Sequence, residues 1–216
     1  MTLNPFIGST SQRWLDIGCG RGGTAAFIEQ MKWAEVTGFD IDAITIEDAR
    51  KIYPHVAFHA CGVTDVSRTI AGEFDLLYSF NAFYAFPDLA KALTALRPLA
   101  AKSAKLAIFD YVDRGGFYES KFSRLPEVAH WHPIEEDSLR ATMKATGWEM
   151  DEHRNLDADY ARWYAHLVSR FDSRREALRE IAPIEVIDYS RNIYAALLSA
   201  IGEGVMGGGI FNASAC

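Results

Sequence analysis

Short apolar runs alternate along this chain with longer segments in which apolar residues recur every three or four positions. The runs predict five strands, at 13–17, 35–40, 56–59, 74–79 and 105–109. Helical segments fall between and after them, at 23–32, 44–52, 66–71 and 88–100. In the last of these segments, one helix face carries Leu89, Leu93, Leu96 and Leu99. Strands that alternate with helices indicate a parallel sheet covered on both faces.

After the fifth strand the alternation stops. Residues 113–133 are rich in glycine, aromatic and charged residues and show no period. The remaining pattern predicts a helix at 135–146, a strand at 148–154, amphipathic helices at 159–171 and 184–201, and a short strand at 210–212. We expect the last two strands to form an antiparallel edge of the sheet. The run Gly207-Gly208-Gly209 is expected to be a hinge or a tight turn before the final strand.

These elements predict an α/β fold of the Rossmann-like, doubly wound kind. Its sheet is expected to be mostly parallel and seven-stranded, with helices on both faces and a helical lid insertion before the last strand. A length of 216 residues fits a single domain, 1–216. Segments 112–133 and 157–205 are expected to form the lid over the site.

Composition and charge narrow the range of partners. The net charge is −7 and no basic run is present, which weighs against nucleic acid and membrane surfaces as partners. Three widely separated cysteines, Cys19, Cys61 and Cys216, lack the spacing of a metal site. Residues 1–12 lack the pattern of a secretory signal, and no apolar stretch is long enough to span a bilayer. We expect a soluble cytoplasmic protein without a metal that acts on a small molecule, with a homodimer as an open alternative.

The densest chemical signal is the segment from Leu15 to Gly23, which reads Leu-Asp-Ile-Gly-Cys-Gly-Arg-Gly-Gly. An apolar strand ends in it, a glycine loop follows, and a helix begins behind the loop. Glycine has no Cβ atom, so the backbone turns sharply there and a ligand can approach closely. The free amides at the start of the helix point into the same space. We therefore expect a nucleotide-like cofactor at the carboxyl end of the first strand.

The identity of that cofactor depends on Asp16. The spacing of Gly18, Gly20 and Gly23 also fits the fingerprint of dinucleotide-binding loops. A carboxylate two residues before the first glycine would repel a pyrophosphate, whereas S-adenosylmethionine (SAM) brings a cationic sulfonium and an ammonium group. The sequence therefore favours SAM. A nicotinamide or flavin dinucleotide and a purely structural glycine turn are the alternatives.

The chain resembles the class I SAM-dependent methyltransferases over nearly all of its length. The matching segments are Leu15-Asp16-Ile17-Gly18-Cys19-Gly20, Gly38-Phe39-Asp40, residues 74–79 and Leu96-Arg97-Pro98-Leu99. Residues 147–210 look loosely like the small-molecule branch of this family, which includes glycine-type and phosphoethanolamine-type N-methyltransferases.

The resemblance implies cofactor contacts at the carboxyl ends of several strands. Gly18 and Gly20 would contact the methionine part of SAM, Asp16 its ammonium side, and Asp40 the ribose hydroxyls. Relatives place an acid after the third strand to bind adenine, but Cys61 and Gly62 stand there in this chain. The backbone of Gly62 or Val63, or else Asp65, would then bind the base. The remaining implied cofactor contacts are Gly22, Ile41, Ser79 and Phe80.

Candidate substrate and catalytic residues follow the fourth and fifth strands. The predicted catalytic set is Tyr84, Asp110, Tyr111 and His132, and the predicted substrate-binding set is Asn81, Phe83, Tyr84, Tyr118, Trp163 and Tyr164. Aromatic faces attract cations, which favours an amine as the methyl acceptor. The alternative is that the aromatic residues of 160–171 form an ordinary apolar helix stripe.

The predicted activity is methyl transfer from SAM to a small molecule, with S-adenosylhomocysteine as product. The reaction is expected to be a direct in-line displacement, most favourably at an amine nitrogen. A SAM-binding regulatory subunit without turnover and an NAD-dependent oxidoreductase are the rival functions.

Overall fold

A computed structural model describes residues 6–7 and 12–216. The strands are β1 (Arg13–Ile17), β2 (Glu35–Asp40), β3 (Ala57–Ala60), β4 (Phe74–Phe80), β5 (Ala100–Asp113), β6 (Trp148–Asn155) and β7 (Met206–Ala215). The helices are α1 (Gly23–Gln30), α2 (Ala43–Ile52), α3 (Val66–Thr69), α4 (Leu89–Leu96), α5 (Glu136–Ala145), α6 (Asp157–Ser173), α7 (Arg175–Leu178) and α8 (Ile184–Gly202). The expectation about a secretory signal concerns residues 1–12, of which 1–5 and 8–11 lie outside the described residues.

The seven strands form one sheet in the order β3-β2-β1-β4-β5-β7-β6. The first five strands run parallel to one another. β7 lies between β5 and β6 and is antiparallel to both. β7 and β6 thus form the antiparallel edge of the sheet that the sequence predicts, and β6 runs parallel to the first five strands. The predicted fold class, a mostly parallel doubly wound sheet with a helical insertion before the last strand, is confirmed.

β5 and β7 are much longer than the sequence pattern predicts. They contain 14 and 10 residues, and their register places Tyr111 opposite Gly208. Residues 207–209 therefore belong to a strand, and their expected role as a hinge or turn is wrong. A Cβ atom at Gly208 would collide with the ring of Tyr160. Glycine is needed here because a helix-borne ring lies directly against the strand.

Apolar layers cover both faces of the sheet. Leu15 and Leu77 belong to the layer on one face, and their neighbours Trp14 and Leu76 belong to the layer on the other. Successive strand residues point to opposite faces, so each central strand contributes to both layers. Because a slip of one residue would exchange the two faces, this pattern fixes the register of the sheet.

A third apolar cluster joins β5 and β7 to the segments predicted as a lid. We call residues 114–133 and 157–202 the cap. Its buried side chains include Tyr160, Tyr164 and Leu197, which pack with Tyr111 of β5. The cap lies over the carboxyl end of β5, and its movement as a lid stays a prediction. Among the described helices, none is both long and apolar enough to cross a membrane.

The contact between Gly208 and Tyr160 yields a first prediction. We expect Gly208→Ala to lower the melting temperature by about 2–10 °C, because an added methyl group overpacks the strand against the ring. Gly202→Ala is the control, since no atom lies close to a Cβ at this helical position. Alanine there should leave the melting temperature unchanged or raise it. Equal melting temperatures for the two variants in thermal unfolding would contradict the packing argument.

Candidate active site

The glycine loop follows β1 and leads directly into α1. Gly18, Gly20 and Gly22 have positive φ angles of 68°, 52° and 76°. At Gly18 a Cβ atom would collide with the Cβ of Ala82, so only glycine allows the loop and the segment after β4 to touch. The first turn of α1 has no side-chain cap. Its backbone amides are therefore available to a ligand beyond the loop.

Asp40 ties the end of β2 to this loop. Its Oδ2 atom accepts a hydrogen bond from the Gly20 amide at 3.0 Å, and its Oδ1 atom accepts one from the Asp42 amide at 3.0 Å. A carboxylate oxygen has more than one lone pair, so both oxygens can still accept bonds from a ligand. The predicted ribose role of Asp40 fits this position. Its second role, shaping the loop, was not predicted.

Asp16 is a buried carboxylate at the end of β1 with an incomplete set of partners. The residue is 3% exposed, and its Oδ2 atom completes no hydrogen bond with the described residues. Burial raises the pKa of Asp16 to about 7; the nearby Tyr78 hydroxyl lowers it in part, and the charge of Asp40 raises it. An unpartnered buried carboxylate oxygen is unfavourable until a cationic or hydrogen-bonding group meets it. The site therefore fits a ligand that brings positive charge or donors.

The predicted adenine side is formed by the ends of β2 and β3. Gly62 lies against the Ile41 side chain and near Asp65. Ile41 is 79% exposed, so its apolar side chain is open to the face of a base. Asp65 is paired with Arg68. Val63 begins the short turn that follows Gly62.

Ser79 and Phe80, which are predicted cofactor contacts, make contacts within the protein. Ser79 is 1% exposed, and its hydroxyl donates to the Ile17 carbonyl at 3.2 Å. It therefore links β4 to β1 beneath the loop. The Phe80 ring packs against Phe109 with a centroid distance of 5.7 Å. Contact of either side chain with a cofactor stays a prediction.

Asn81 connects the end of β4 to two other elements. Its φ angle of 53° is in the left-handed region, which asparagine tolerates better than most residues. Its amide donates to the Phe109 carbonyl at 2.8 Å, and its Oδ1 atom accepts from the Tyr160 hydroxyl at 2.8 Å. Asn81 thereby holds α6 next to the ends of β4 and β5.

A cavity of about 430 Å³ opens beside Asn81. It is lined by Asn81, Phe109, Asp159, Tyr160, Arg162, Trp163 and Tyr164. Asp159 and Arg162 form an exposed ion pair with each other, and Trp163 is 57% exposed. The cavity thus has aromatic walls and a charged rim. Because Ala82 touches Gly18, this cavity and the glycine loop lie on either side of the same short segment.

Tyrosine side chains are numerous beside the cavity, where the cap packs on β5. Tyr111 and Tyr164 share a hydrogen bond between their hydroxyls. Tyr84 packs on Trp131 and Tyr111 at centroid distances of 4.4 and 5.2 Å. Burial raises the pKa of Tyr84 and Tyr111, and that of Tyr164 to about 12. These hydroxyls are therefore protonated at neutral pH, and the catalytic roles of Tyr84 and Tyr111 stay predictions.

Six predicted substrate or catalytic residues do not line the cavity: Tyr84 and Tyr111, described above, and Phe83, Asp110, Tyr118 and His132. Asp110 is fully buried and accepts bonds from backbone amides, while Phe83 is 1% exposed with its ring in the core. Direct contact with a substrate does not fit this burial, so both assignments are corrected. Tyr118 is 53% exposed and packs on Phe117, and His132 joins the site through its backbone amide, which donates to the Tyr84 carbonyl at 2.6 Å.

Four lining residues were absent from the predicted set: Phe109, Asp159, Tyr160 and Arg162. Tyr160 precedes Tyr164 by four positions, so the two share a helix face, and this spacing was a usable signal. Phe109 sits within β5, at a position that the shorter predicted strand placed at its end. Nothing in the sequence distinguished Asp159 and Arg162 from other charged residues on an amphipathic helix.

The geometry defines a doubly wound α/β protein with a nucleotide-type cofactor loop beside an aromatic cavity. A family model described as a methyltransferase domain matches residues 3–153. The chain belongs to this family, which confirms the family predicted from the sequence.

Known proteins of this kind act on different atoms. The chain is 27% identical over 163 residues to an O-methyltransferase of Pyrenophora dematioidea, a match that covers 69% of this chain and 59% of that relative. Among solved structures it is similar to phosphoethanolamine N-methyltransferase 2 of Haemonchus contortus, in complex with phosphomonomethylethanolamine and S-adenosylhomocysteine (TM-score 0.88, 18% identity, 99% of this chain and 51% of that one). It is also similar to geranyl diphosphate C-methyltransferase of Streptomyces coelicolor A3(2) (TM-score 0.73, 14% identity, 99% and 78%). The fold is therefore shared by O-, N- and C-methylating enzymes.

The buried Asp16 predicts a pH dependence of stability. Its pKa is about 7 in the folded state against an ordinary 3.8, so the folded state binds more protons than the unfolded state between these values. Stability from this group therefore falls as the pH rises towards 7. We expect the melting temperature of Asp16→Asn, relative to wild type, to rise between about pH 5 and about pH 8.

The control for this measurement is Asp88→Asn. Asp88 is exposed, and hydrogen bonds with Lys91 lower its pKa, so its difference from wild type should stay constant over the same range. The unliganded proteins are compared by thermal unfolding at a series of pH values. A pH-independent difference between wild type and Asp16→Asn would contradict the assignment.

Proposed function

We propose that this protein transfers the methyl group of SAM to a small-molecule acceptor and releases S-adenosylhomocysteine. The observation that carries the proposal is the buried Asp16 carboxylate beside the glycine loop, whose Oδ2 atom completes no hydrogen bond with the described residues although the Tyr78 hydroxyl lies near it. A ligand with an ammonium or sulfonium group would supply the missing partner. Asp40 then stands where ribose hydroxyls can donate to it, and Ile41 and Gly62 stand where a base would lie.

Two rival functions fit these observations less well. An NAD-dependent oxidoreductase would place a pyrophosphate beside Asp16, where a negative side chain opposes the binding of another negative group. A regulatory subunit without turnover would need the cofactor loop but no acceptor cavity. The aromatic cavity next to Ala82 and Gly18 supports a second ligand, and hence catalysis.

Methyl transfer from a sulfonium is a displacement with a good leaving group, so the protein need not form a covalent intermediate. Its main contribution is to hold the acceptor atom, the methyl carbon and the sulfur in line. Such positioning can lower the barrier by roughly 7–11 kcal/mol. The segment 81–84 suits this task, because it separates the loop from the cavity and is tied to both.

An amine nitrogen is the acceptor that the cavity supports best. Asp159 is the one carboxylate among the lining residues, and it pairs with Arg162. The tyrosines there have raised pKa values, so no ready base faces the cavity. A neutral amine needs no base to attack, and aromatic faces stabilise the cationic product by about 0.5–2 kcal/mol per ring.

An oxygen acceptor is the second candidate. The name of the curated relative, an O-methyltransferase, favours it. The hydroxyl of Tyr160 and the amide of Asn81 are the polar groups that would orient a substrate hydroxyl in the cavity. Its deprotonation would then need a base from the cap or from solvent.

The cofactor assignment predicts the effect of Asp40→Asn. Loss of one charge-assisted hydrogen bond should weaken S-adenosylhomocysteine binding by about 10- to 100-fold in calorimetry. Asp151→Asn is the control, since Asp151 pairs with Lys105 and Ser214 on the strands β5 and β7, away from the glycine loop. Equal affinities for wild type and Asp40→Asn would refute the role of Asp40. Stabilisation by NAD but not by SAM would refute the cofactor.

The acceptor assignment is tested with matched substrates and methyl-labelled SAM. We expect benzylamine to be methylated at least about 100-fold faster than benzyl alcohol, because the alcohol needs a base that the cavity lacks. Trp163→Ala should raise KM for the amine by about 2- to 30-fold. Tyr189→Ala, which removes another exposed aromatic residue of the cap outside the cavity, is the control. Preference for the alcohol would favour the oxygen acceptor.

A further inference from the structure

Asp110 is a buried carboxylate that has no cationic partner among residues 6–7 and 12–216. It lies in β5 and is 0% exposed. Its Oδ2 atom accepts a hydrogen bond from the Phe83 amide at 2.6 Å, and its Oδ1 atom accepts one from the Tyr111 amide at 2.7 Å. In the described residues, the groups that favour its charged form are backbone amides alone.

Burying such a charge is unfavourable by several kcal/mol before its hydrogen bonds are counted. Burial raises the pKa of Asp110 to about 7, and the amides of Tyr111 and Phe83 oppose that rise. A carboxylate has one property that neutral side chains of similar size lack: both oxygens are acceptors. Asp110 therefore joins the backbone of its own strand to a segment 27 positions earlier in the sequence.

The segment that Asp110 holds is the short turn after β4, which comprises residues 83–85. This turn meets the cofactor loop and the cap, and Asn81, two residues before it, lines the cavity. Ala82, just before it, touches Gly18 of the cofactor loop. The Tyr84 carbonyl accepts the His132 amide of the cap at 2.6 Å, and the Tyr84 ring packs on Trp131. The turn is thus the junction between the cofactor loop, the cap and the cavity.

We propose that Asp110 is a positioning residue that fixes the turn at 83–85, and thereby sets the cofactor loop and the acceptor cavity in line for methyl transfer. This inference deepens the proposed function and rests on it. Asp110 acts through the Phe83 amide and touches neither ligand. A misplacement of about 1 Å at this junction would slow turnover by up to about 100-fold.

Asp110→Asn tests the inference with little change in volume. Asparagine keeps one acceptor and replaces the other by an NH2 group, which would face the Phe83 or Tyr111 amide donor to donor. We expect kcat to fall by about 10- to 100-fold, while the Kd of S-adenosylhomocysteine changes by less than about 5-fold. A residue that only supports folding would leave kcat of the folded enzyme unchanged.

The control is Asp75→Asn near the amino end of β4, at the end of the sheet opposite to the candidate site. Asp75 also accepts a hydrogen bond from a backbone amide, that of Arg13 at 2.9 Å. This variant should keep both kcat and Kd within about twofold of wild type. The inference is overturned if Asp110→Asn folds and turns over as fast as Asp75→Asn.

Hydrogen exchange gives a second, independent measurement. In wild type we expect the Phe83 amide to exchange as slowly as core strand amides, and in Asp110→Asn we expect faster exchange at 82–84 and 130–132. If the variant does not fold, fast exchange of Phe83 in wild type would still overturn the inference. Failure of the wild-type protein to bind S-adenosylhomocysteine would instead count against the proposed function. The exchange rate of the Phe83 amide would still show whether Asp110 holds the turn.

Discussion

Carboxylates that accept hydrogen bonds from backbone amides hold together the carboxyl edge of this sheet. Loops leave the strands there, and their amides have no partners in the ladder of the sheet. Asp40 accepts the amide of Gly20, and Asp110 accepts the amide of Phe83. Each carboxylate binds a second amide with its other oxygen, at Asp42 and at Tyr111. The same kind of contact, a carboxylate that accepts two backbone amides, therefore fixes the backbone on both sides of the candidate site. Asp40 makes this contact on the cofactor side, and Asp110 makes it on the acceptor side.

Because of this arrangement, carboxylates whose charged form is disfavoured by burial lie at the carboxyl edge of the sheet. Asp16 and Asp110 are buried, and burial raises the pKa of each to about 7. Carboxylates elsewhere in the described chain are handled differently: Asp172 and Asp188 lie on the surface, where arginines lower their pKa. Perturbed carboxylates collect where a fold gives up stability for function. The contrast between these two groups supports placing the site at this edge, independently of the family assignment.

The sequence predicted the cofactor side of the site better than the acceptor side. The glycine loop and Asp40 belong to short, local signals, in which strand, turn and helix follow within a few residues. The acceptor side depends on pairing between β5 and β7, strands about 100 positions apart, and no local pattern carries that information. Gly208 shows the difficulty: an isolated glycine run indicates a turn, but here it makes room for Tyr160 of α6. Asp110 lies near the end of β5 and Phe83 follows β4, at positions where the sequence predicts ligand contacts, and only their burial shows that these side chains belong to the core.

The same tertiary contacts give the aromatic residues two functions at once. Tyr160 and Tyr164 lie on one face of α6, as an ordinary apolar stripe would, and they pack in the third core cluster. Their hydroxyls are nevertheless used, one on Asn81 and the other on Tyr111. A buried tyrosine hydroxyl needs such a partner, since an unpaired one would be unfavourable by roughly 1–3 kcal/mol. The two interpretations of these aromatic residues, an apolar helix stripe and a surface that binds a cationic substrate, are therefore not exclusive. The rings stabilise the packing of the cap on the sheet. The tyrosines that line the cavity have protonated, uncharged hydroxyl groups. Such a lining suits a ligand that gains positive charge better than a ligand that must lose a proton.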